Sequence, residues 1–171
     1  MKKGALIFFC GKMGSGKTTK SINIALERNA VLLSEDEWLE SIYPKKISSL
    51  NDYIKYSTLL KPQMKKLVHS ILNTGTDVVM DFPANTISQR EWFKSIFIEV
   101  KAPHSLIYID VPNELCLKRI EKRRKEQPER FATDTVEMFE KVTKYFVEPS
   151  DANLGPVPGH PKGAGLNYPN R

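Results

Sequence analysis

Apolar runs and helical periodicities alternate along the chain. Apolar runs at 5–10, 30–34, 76–81 and 105–110 have the length of single strands. Apolar residues recur with helical spacing at 16–28, 49–73, 86–100, 112–125 and 133–146. Strands that are apolar throughout are typical of parallel sheets covered on both faces. The pattern predicts an α/β fold with a mostly parallel sheet of four or five strands and helices on both faces.

Local signals place some helix boundaries. Pro62 predicts a kink or a break in the helix at 49–73, because proline lacks the N–H that a helix interior needs. The helix that ends near 100 begins at one of two capping boxes, Thr86 with Gln89 or Ser88 with Glu91.

The composition fits one globular domain. The chain has 171 residues, of which 40% are hydrophobic and 27% charged. From Pro149 onward, nine of 23 residues are Pro or Gly. We therefore expect a folded domain at 1–148 and a disordered tail at 149–171. No apolar run approaches the roughly 20 residues that cross a bilayer, so we expect a cytoplasmic protein without a membrane partner.

A phosphate-binding motif follows the first apolar run. The segment 11–18 reads GKMGSGKT, which matches GxxxxGK[ST] between a strand and a helix. Glycines let the backbone approach phosphate oxygens, and the following helix turns its N-terminus toward them. The residues expected to bind a nucleotide are Gly11, Lys12, Met13, Gly14, Ser15, Gly16, Lys17, Thr18 and Thr19. Of these, Lys17 is predicted to hold the β- and γ-phosphates, and Thr18 to bind Mg²⁺.

Two further carboxylates follow apolar runs. Asp36 and Asp81 come after the second and third runs, and carboxyl ends of parallel strands meet at one sheet edge. We assign Asp36 as the base for an acceptor hydroxyl and Asp81 as a Mg²⁺ ligand, although the two roles could be exchanged. The alternatives are that Asp36 belongs to an acidic helix start and Asp81 is a cap or turn residue. Glu35 and Glu37 are expected to face solvent.

A basic segment follows the fourth apolar run. Residues 118–125 carry six cations and one anion, with Arg119 and Arg123 on one helix face. Arginines on a mobile lid neutralise charge on a transferred phosphoryl group, so we assign both to the triphosphate. The alternative is a solvated basic helix face. Arg90 is a weaker candidate for an acceptor contact, since it also fits an exposed first-turn position.

The net charge and the two cysteines do not discriminate between the possible functions. A net charge of +6 suits a phosphorylated or nucleic-acid partner, but a nucleotide pocket also recruits cations. Cys10 and Cys116 lack metal-ligand spacing and are expected to be reduced, buried thiols.

Together these motifs resemble the P-loop kinases of the AAA_33-type group. That group includes the 5′-hydroxyl kinase domain of polynucleotide kinase, zeta toxins, chloramphenicol phosphotransferase and gluconate kinase. The resemblance covers about residues 4–148. It implies a P-loop NTPase three-layer sandwich with a small Arg-rich lid, ATP and Mg²⁺ as cofactors, and a base at Asp36. Trp38-Leu39-Glu40 stands where polynucleotide kinase relatives carry an Arg, which argues against nucleic-acid 5′ ends as acceptors.

The expected activity is transfer of the ATP γ-phosphate to a hydroxyl of a small molecule. The alternatives are a polynucleotide 5′-hydroxyl kinase and a nucleotide-binding module or ATPase without an acceptor. The sequence leaves the acceptor and the oligomeric state open.

Overall fold

The computed structural model describes residues 2–150, which are built around a parallel β-sheet. Its four strands are β1 (Leu6–Cys10), β2 (Val31–Ser34), β3 (Val78–Pro83) and β4 (His104–Tyr108). The helices are α1 (Lys17–Arg28), α2 (Glu35–Ile42), α3 (Leu50–Asn73), α4 (Ile87–Val100), α5 (Asn113–Glu126) and α6 (Val136–Thr143), with a 3-10 turn at Pro128–Arg130.

The strands are ordered β2-β3-β1-β4, and each neighbouring pair is parallel. Every connection between strands therefore crosses over the sheet and carries at least one helix. The carboxyl ends of all four strands lie at one edge, which is the edge where ligands bind in open parallel sheets.

Alternation along the strands divides the apolar side chains between two cores. In β1, Leu6, Phe8 and Cys10 face one core, whereas Ile7 and Phe9 face the other. The first core is closed by α3 and α4, whose fully buried residues include Val68, Leu72, Phe93 and Phe97. The second is closed by α1, α5 and α6, through Ala25, Cys116, Ile120 and Phe139. The sheet is thus covered on both faces, as the apolar runs indicated.

Several predicted boundaries need correction. The helix at Leu50–Asn73 is not broken at Pro62 but continues through it. The strand β3 does not end at Asp81 but runs on to Pro83, with a register irregularity opposite Phe8 and Phe9. The helix predicted at 133–146 is shorter, Val136–Thr143. It begins at Val136 because Thr135 caps its N-terminus. The predicted tail at 149–171 lies outside the described residues, except for its first two.

Capping chemistry decides where α4 begins. The Thr86 side chain accepts a hydrogen bond from the Gln89 N–H, and the Gln89 side chain accepts one from the Thr86 N–H. This is a complete capping box, so the Thr86 alternative is confirmed and α4 begins directly behind the end of β3.

Candidate active site

The loop between β1 and α1 takes a conformation that depends on glycine. Gly14 and Gly16 have φ angles of 78° and 100°, in the left-handed region that other residues rarely adopt. Gly11 has no positive φ, but a Cβ there would lie 2.5 Å from the Ser15 Oγ. The backbone conformation therefore favours glycine at Gly14 and Gly16, whereas at Gly11 the space beside the Ser15 side chain does so.

Gly14 also allows α5 to pack against the loop. A Cβ on Gly14 would lie 2.6 Å from the Cys116 carbonyl oxygen and 2.9 Å from Ile120 Cγ1. The sequence pattern indicated only the phosphate side of this glycine. The structure shows that its other side is the contact between the loop and the Arg-rich helix.

Asn85 holds the start of the loop from the neighbouring strand. Its Oδ1 accepts a hydrogen bond of 2.9 Å from the Gly11 N–H, and its carbonyl oxygen accepts one of 2.8 Å from the Val147 N–H. Its own N–H donates to Gln89 Oε1 at 2.8 Å. Sequence reasoning missed Asn85. The signal available was a polar residue between a strand end and a capping box, which is the place for a loop contact.

Lys17 lies over the loop that it follows. Its Nζ donates to the carbonyl oxygens of Gly11 at 2.5 Å and Lys12 at 3.1 Å. Burial lowers the pKa of Lys17, while the carboxylates of Asp81 and Asp36 act in the opposite direction. The ammonium group is therefore held at the loop, facing two carboxylates.

Thr18 and Asp81, the two residues predicted to bind Mg²⁺, contact each other. The Thr18 hydroxyl donates a hydrogen bond of 2.7 Å to Asp81 Oδ2. Burial raises the pKa of Asp81, and the Asp36 charge raises it further, whereas Thr18, Lys17 and Arg123 lower it. A hydroxyl and a carboxylate are oxygen ligands of the kind Mg²⁺ prefers, and Mg²⁺ commonly takes its other ligands from water and phosphate. The pair therefore fits a Mg²⁺ site that a nucleotide completes.

Asp36 lies in the first turn of α2, so the acidic helix start is confirmed. The helix start does not exclude a role at the site, because the electrostatic effects of Asp36 reach both Lys17 and Asp81. Its side chain is 65% exposed, and Arg130 Nη2 donates to its Oδ2 at 3.4 Å. Asp36 is thus an accessible carboxylate beside the loop and the Thr18–Asp81 pair.

The expectation that Glu35 faces solvent is wrong. Glu35 is 3% exposed, and its carboxylate accepts hydrogen bonds from Tyr53 Oη at 2.5 Å and Ser57 Oγ at 2.9 Å. Burial raises its pKa to about 7, against the lowering effect of the two hydroxyls. The contact partners lie on α3, which is 18 and 22 residues away, so local sequence could not indicate them. Glu37 is exposed, as expected.

The two lid arginines of the sequence prediction are placed differently. Arg119 Nη1 donates to the Ser15 carbonyl oxygen at 3.0 Å, which puts its guanidinium at the loop. Arg123 instead makes a paired contact with Asp134, from Nε at 2.6 Å and from Nη2 at 2.8 Å. Sequence reasoning did not single out Asp134, whose carboxylate also accepts a hydrogen bond of 2.9 Å from Arg130 Nε, four residues before it.

Arg90 is neither an exposed first-turn residue nor an accessible acceptor contact. It is fully buried, and its Nη1 donates to the Ala84 carbonyl oxygen at 2.8 Å. Its Nη1 also lies 3.9 Å from the Cys10 sulfur. The guanidinium therefore supports the turn after β3 from inside the protein. Cys10 and Cys116 are both buried and free, as expected, and burial raises the pKa of Cys10 to about 11.

A cleft of about 410 Å³ opens beside the loop. Its lining includes three residues assigned to nucleotide binding, Ser15, Gly16 and Thr19, together with the predicted lid residue Arg119. Lys20, Asn23 and Ile109 complete it, and these were missed. Lys20 and Asn23 lie four residues, about one helical turn, after Gly16 and Thr19, which is the signal that could have found them.

A parallel sheet, a glycine-rich loop that enters a helix, and a carboxylate on the adjacent strand define a P-loop NTPase. The chain matches the model of the AAA_33 family, described as an AAA domain, over residues 6–149. The protein therefore belongs to this family.

Solved structures share the fold at low identity. A presumed kinase of Chloroflexus aurantiacus J-10-fl is 20% identical, with a TM-score of 0.70 over 97% of this chain and 84% of that one. Chaetomium thermophilum Kti12, solved with ADP-AlF3, is 17% identical, with a TM-score of 0.66 over 95% and 88%. Mycobacterium tuberculosis APS kinase, solved with AMPPNP and APS, is 16% identical, with a TM-score of 0.59 over 99% and 90%. The fold is thus that of P-loop kinases.

Over residues 2–150, no helix combines the length and the apolar character that a membrane span needs.

Proposed function

We propose that this protein is an ATP- and Mg²⁺-dependent kinase that transfers the γ-phosphoryl group to a hydroxyl of a small molecule. The observation that carries the proposal is the meeting of three groups at one sheet edge. These are the Lys17 ammonium on the loop, the Thr18–Asp81 pair, and the accessible Asp36 carboxylate. A site for binding alone needs the first two, whereas transfer also needs a carboxylate for the acceptor.

The loop side of the site would hold the nucleotide. The backbone N–H groups and Lys17 would bind the β- and γ-phosphates, and the cleft lined by Thr19 and Arg119 lies where the rest of the nucleotide would extend. Thr18 and Asp81 would hold Mg²⁺, which neutralises charge on the phosphate oxygens when bound.

Asp36 would serve the acceptor. The hydroxyl oxygen attacks the γ-phosphorus, its proton passes to the Asp36 carboxylate, and the bond to the β-phosphate oxygen breaks to release ADP. Its high exposure allows an acceptor to reach it.

The charge around Asp36 supports a small acceptor over a nucleic acid. Asp36 and Glu37 are exposed carboxylates in the first turn of α2, and the exposed Glu40 follows on the same helix. A polyanionic strand needs cations along its path, since phosphate contacts supply most of its affinity. This turn presents the opposite charge.

Two variants test the proposal. Lys17→Ala is expected to weaken ATP binding and abolish transfer. Asp36→Asn is expected to leave the Kd for an ATP analogue within about threefold and to lower kcat by about 100-fold or more. Glu37→Gln is the matched control, because it removes the same charge from an exposed position of the same turn.

The assay is ADP release stimulated by a panel of hydroxyl compounds, with a 5′-hydroxyl oligonucleotide in a parallel arm. Full transfer by Asp36→Asn would refute its assignment as the base. Phosphorylation of the oligonucleotide alone would make the protein a polynucleotide kinase. ATP binding without stimulation by any acceptor would favour a binding module or an ATPase.

A further inference from the structure

Asp134 is a buried carboxylate in the segment between α5 and α6. The residue is 1% exposed, and its side chain is fully buried. A buried carboxylate is costly unless cations and hydrogen bonds compensate it. Here two guanidinium groups do so, those of Arg123 and Arg130, which are called the arginine pair below.

Both members of the arginine pair use the same two oxygen atoms. Arg123 donates from Nε to Oδ2 at 2.6 Å and from Nη2 to Oδ1 at 2.8 Å. Arg130 donates from Nε to Oδ2 at 2.9 Å and from Nη2 to Oδ1 at 3.5 Å. Such two-point contacts fix the orientation of a guanidinium as well as its position. One carboxylate thus orients two cations, and the group of three carries a net positive charge.

One member of the arginine pair contacts the candidate active site. Arg130 Nη2 reaches past Asp134 to Asp36 Oδ2, at 3.4 Å, across 94 residues of chain. Both arginine side chains remain partly accessible, at 30% for Arg123 and 25% for Arg130. An incoming phosphoryl group could therefore contact them.

We propose that Asp134 is a positioning residue that holds the arginine pair as one unit and sets Arg130 against Asp36. The catalytic part of this inference rests on the kinase function proposed above. Two like-charged guanidiniums repel each other, and flexible arginines lose conformational freedom when they are ordered. Asp134 offsets both costs before the substrates arrive, so that positive charge is already in place where the transferred group becomes charged.

The competing explanation is that Asp134 only stabilises the fold of the segment. Its N–H donates to the Arg130 carbonyl oxygen at 2.8 Å, which is a purely local contact that an Asn would keep. Asp134→Asn therefore removes the charge and the paired contacts while retaining the backbone turn. A structural role alone would lower stability without a specific effect on catalysis.

The kinetic test compares Asp134→Asn with wild type. We expect kcat to fall about 10- to 100-fold, as expected for misplaced catalytic groups, while the Kd for an ATP analogue changes by less than about threefold. In an Arg123→Lys/Arg130→Lys background the same substitution should change kcat by less than about threefold, because lysine cannot make the two-point contact. Glu121→Gln is the control, since it removes an exposed carboxylate of α5 that pairs with Lys125. A loss of kcat that persists in the double-lysine background would overturn the proposal.

A second readout does not depend on the kinase activity. In ¹⁵N spectra, the Nε–H signals of Arg123 and Arg130 should be shifted and slow to exchange in the wild type, and should move to free-arginine positions in Asp134→Asn. Unchanged signals would overturn the proposal. If the signals move but no acceptor supports phosphoryl transfer, the positioning role of Asp134 is supported and the proposed kinase function is refuted. If Asp134→Asn does not fold, Arg130→Lys replaces it as the test variant. We expect Arg130→Lys to lower kcat by the same 10- to 100-fold while the shifted Nε–H signal of Arg123 is retained. An undiminished kcat would refute the inference.

Discussion

The Thr18 hydroxyl donates a hydrogen bond of 2.7 Å to Asp81 Oδ2, although 63 residues separate them. The bond joins the first residues of α1 to β3, the strand next to β1. It places a hydroxyl and a carboxylate, oxygen groups of the kind that Mg²⁺ prefers, side by side at the end of the phosphate-binding loop. The nucleotide and metal functions of the proposed kinase therefore depend on one contact between α1 and β3.

Replacing Asp81 should raise the Mg²⁺ requirement. In Asp81→Asn we expect the Mg²⁺ concentration for half-maximal activity to rise about tenfold, because a charged ligand is replaced by a neutral amide. Titration of ADP release with Mg²⁺ measures it, and metal-free nucleotide binding should stay unchanged. Glu91→Gln, an exposed position of α4, is the control. An unaltered Mg²⁺ titration would assign the metal to another group.

Adding a methyl group at Gly14 should affect both stability and nucleotide binding. Gly14→Ala forces a strained φ angle and a contact with the Cys116 carbonyl oxygen, so we expect a loss of about 1–3 kcal/mol in the free energy of unfolding. The Kd for an ATP analogue should rise as well, because the loop must move. Gly75→Ala carries the same kind of φ strain away from the loop. It should lower stability and leave nucleotide affinity intact, and equal effects of both variants on affinity would contradict this account.

Arg119 and Lys118 are neighbours on α5 with different contacts. Arg119 donates to the Ser15 carbonyl oxygen and lines the cleft, so Arg119→Ala should raise the Kd for ATP about three- to tenfold, the range of one partly exposed charged contact. Lys118→Ala, which removes an exposed cation one residue earlier, should leave the Kd unchanged. Calorimetric titration with an ATP analogue at two salt concentrations measures both. Equal losses in both variants would indicate a general effect of net charge.

Glu35 should make stability depend on pH in a defined window. Its pKa is raised from 4.5 to about 7, so the folded state holds a proton that the unfolded state releases. The resulting stabilisation is complete below pH 4.5 and is lost as the pH rises to about 7, by an amount on the order of 3 kcal/mol. Urea unfolding between pH 5 and 8 should show that the free energy of unfolding of the wild type falls relative to that of Glu35→Gln as the pH rises. For Glu37→Gln, the exposed control, the free energy of unfolding should follow that of the wild type with a difference that does not change with pH. The same pH-independent difference for Glu35→Gln would contradict the raised pKa.

The sequence allowed the strands, most helices and the phosphate-binding loop to be predicted because their signals are local. An apolar run or a glycine motif contains its own evidence, and β1 and α1 lie within one or two residues of their predicted bounds. Boundaries were less accurate where tertiary contacts dominate. The helix α3 tolerates Pro62 because its buried face, including Leu60 and Met64, continues on both sides of the proline.

By itself the sequence determined the α/β class, the loop residues 11–18, and the candidate roles of Thr18 and Asp81, because the carboxyl ends of parallel strands lie at one edge of the sheet. Only the tertiary structure decided which carboxylates and arginines belong together. It buried Glu35 against α3 while leaving Asp36 exposed, and it joined Arg123 and Arg130 on Asp134. The physical reason is that a charged side chain acts through its burial and its partners, and the packing of distant segments sets both.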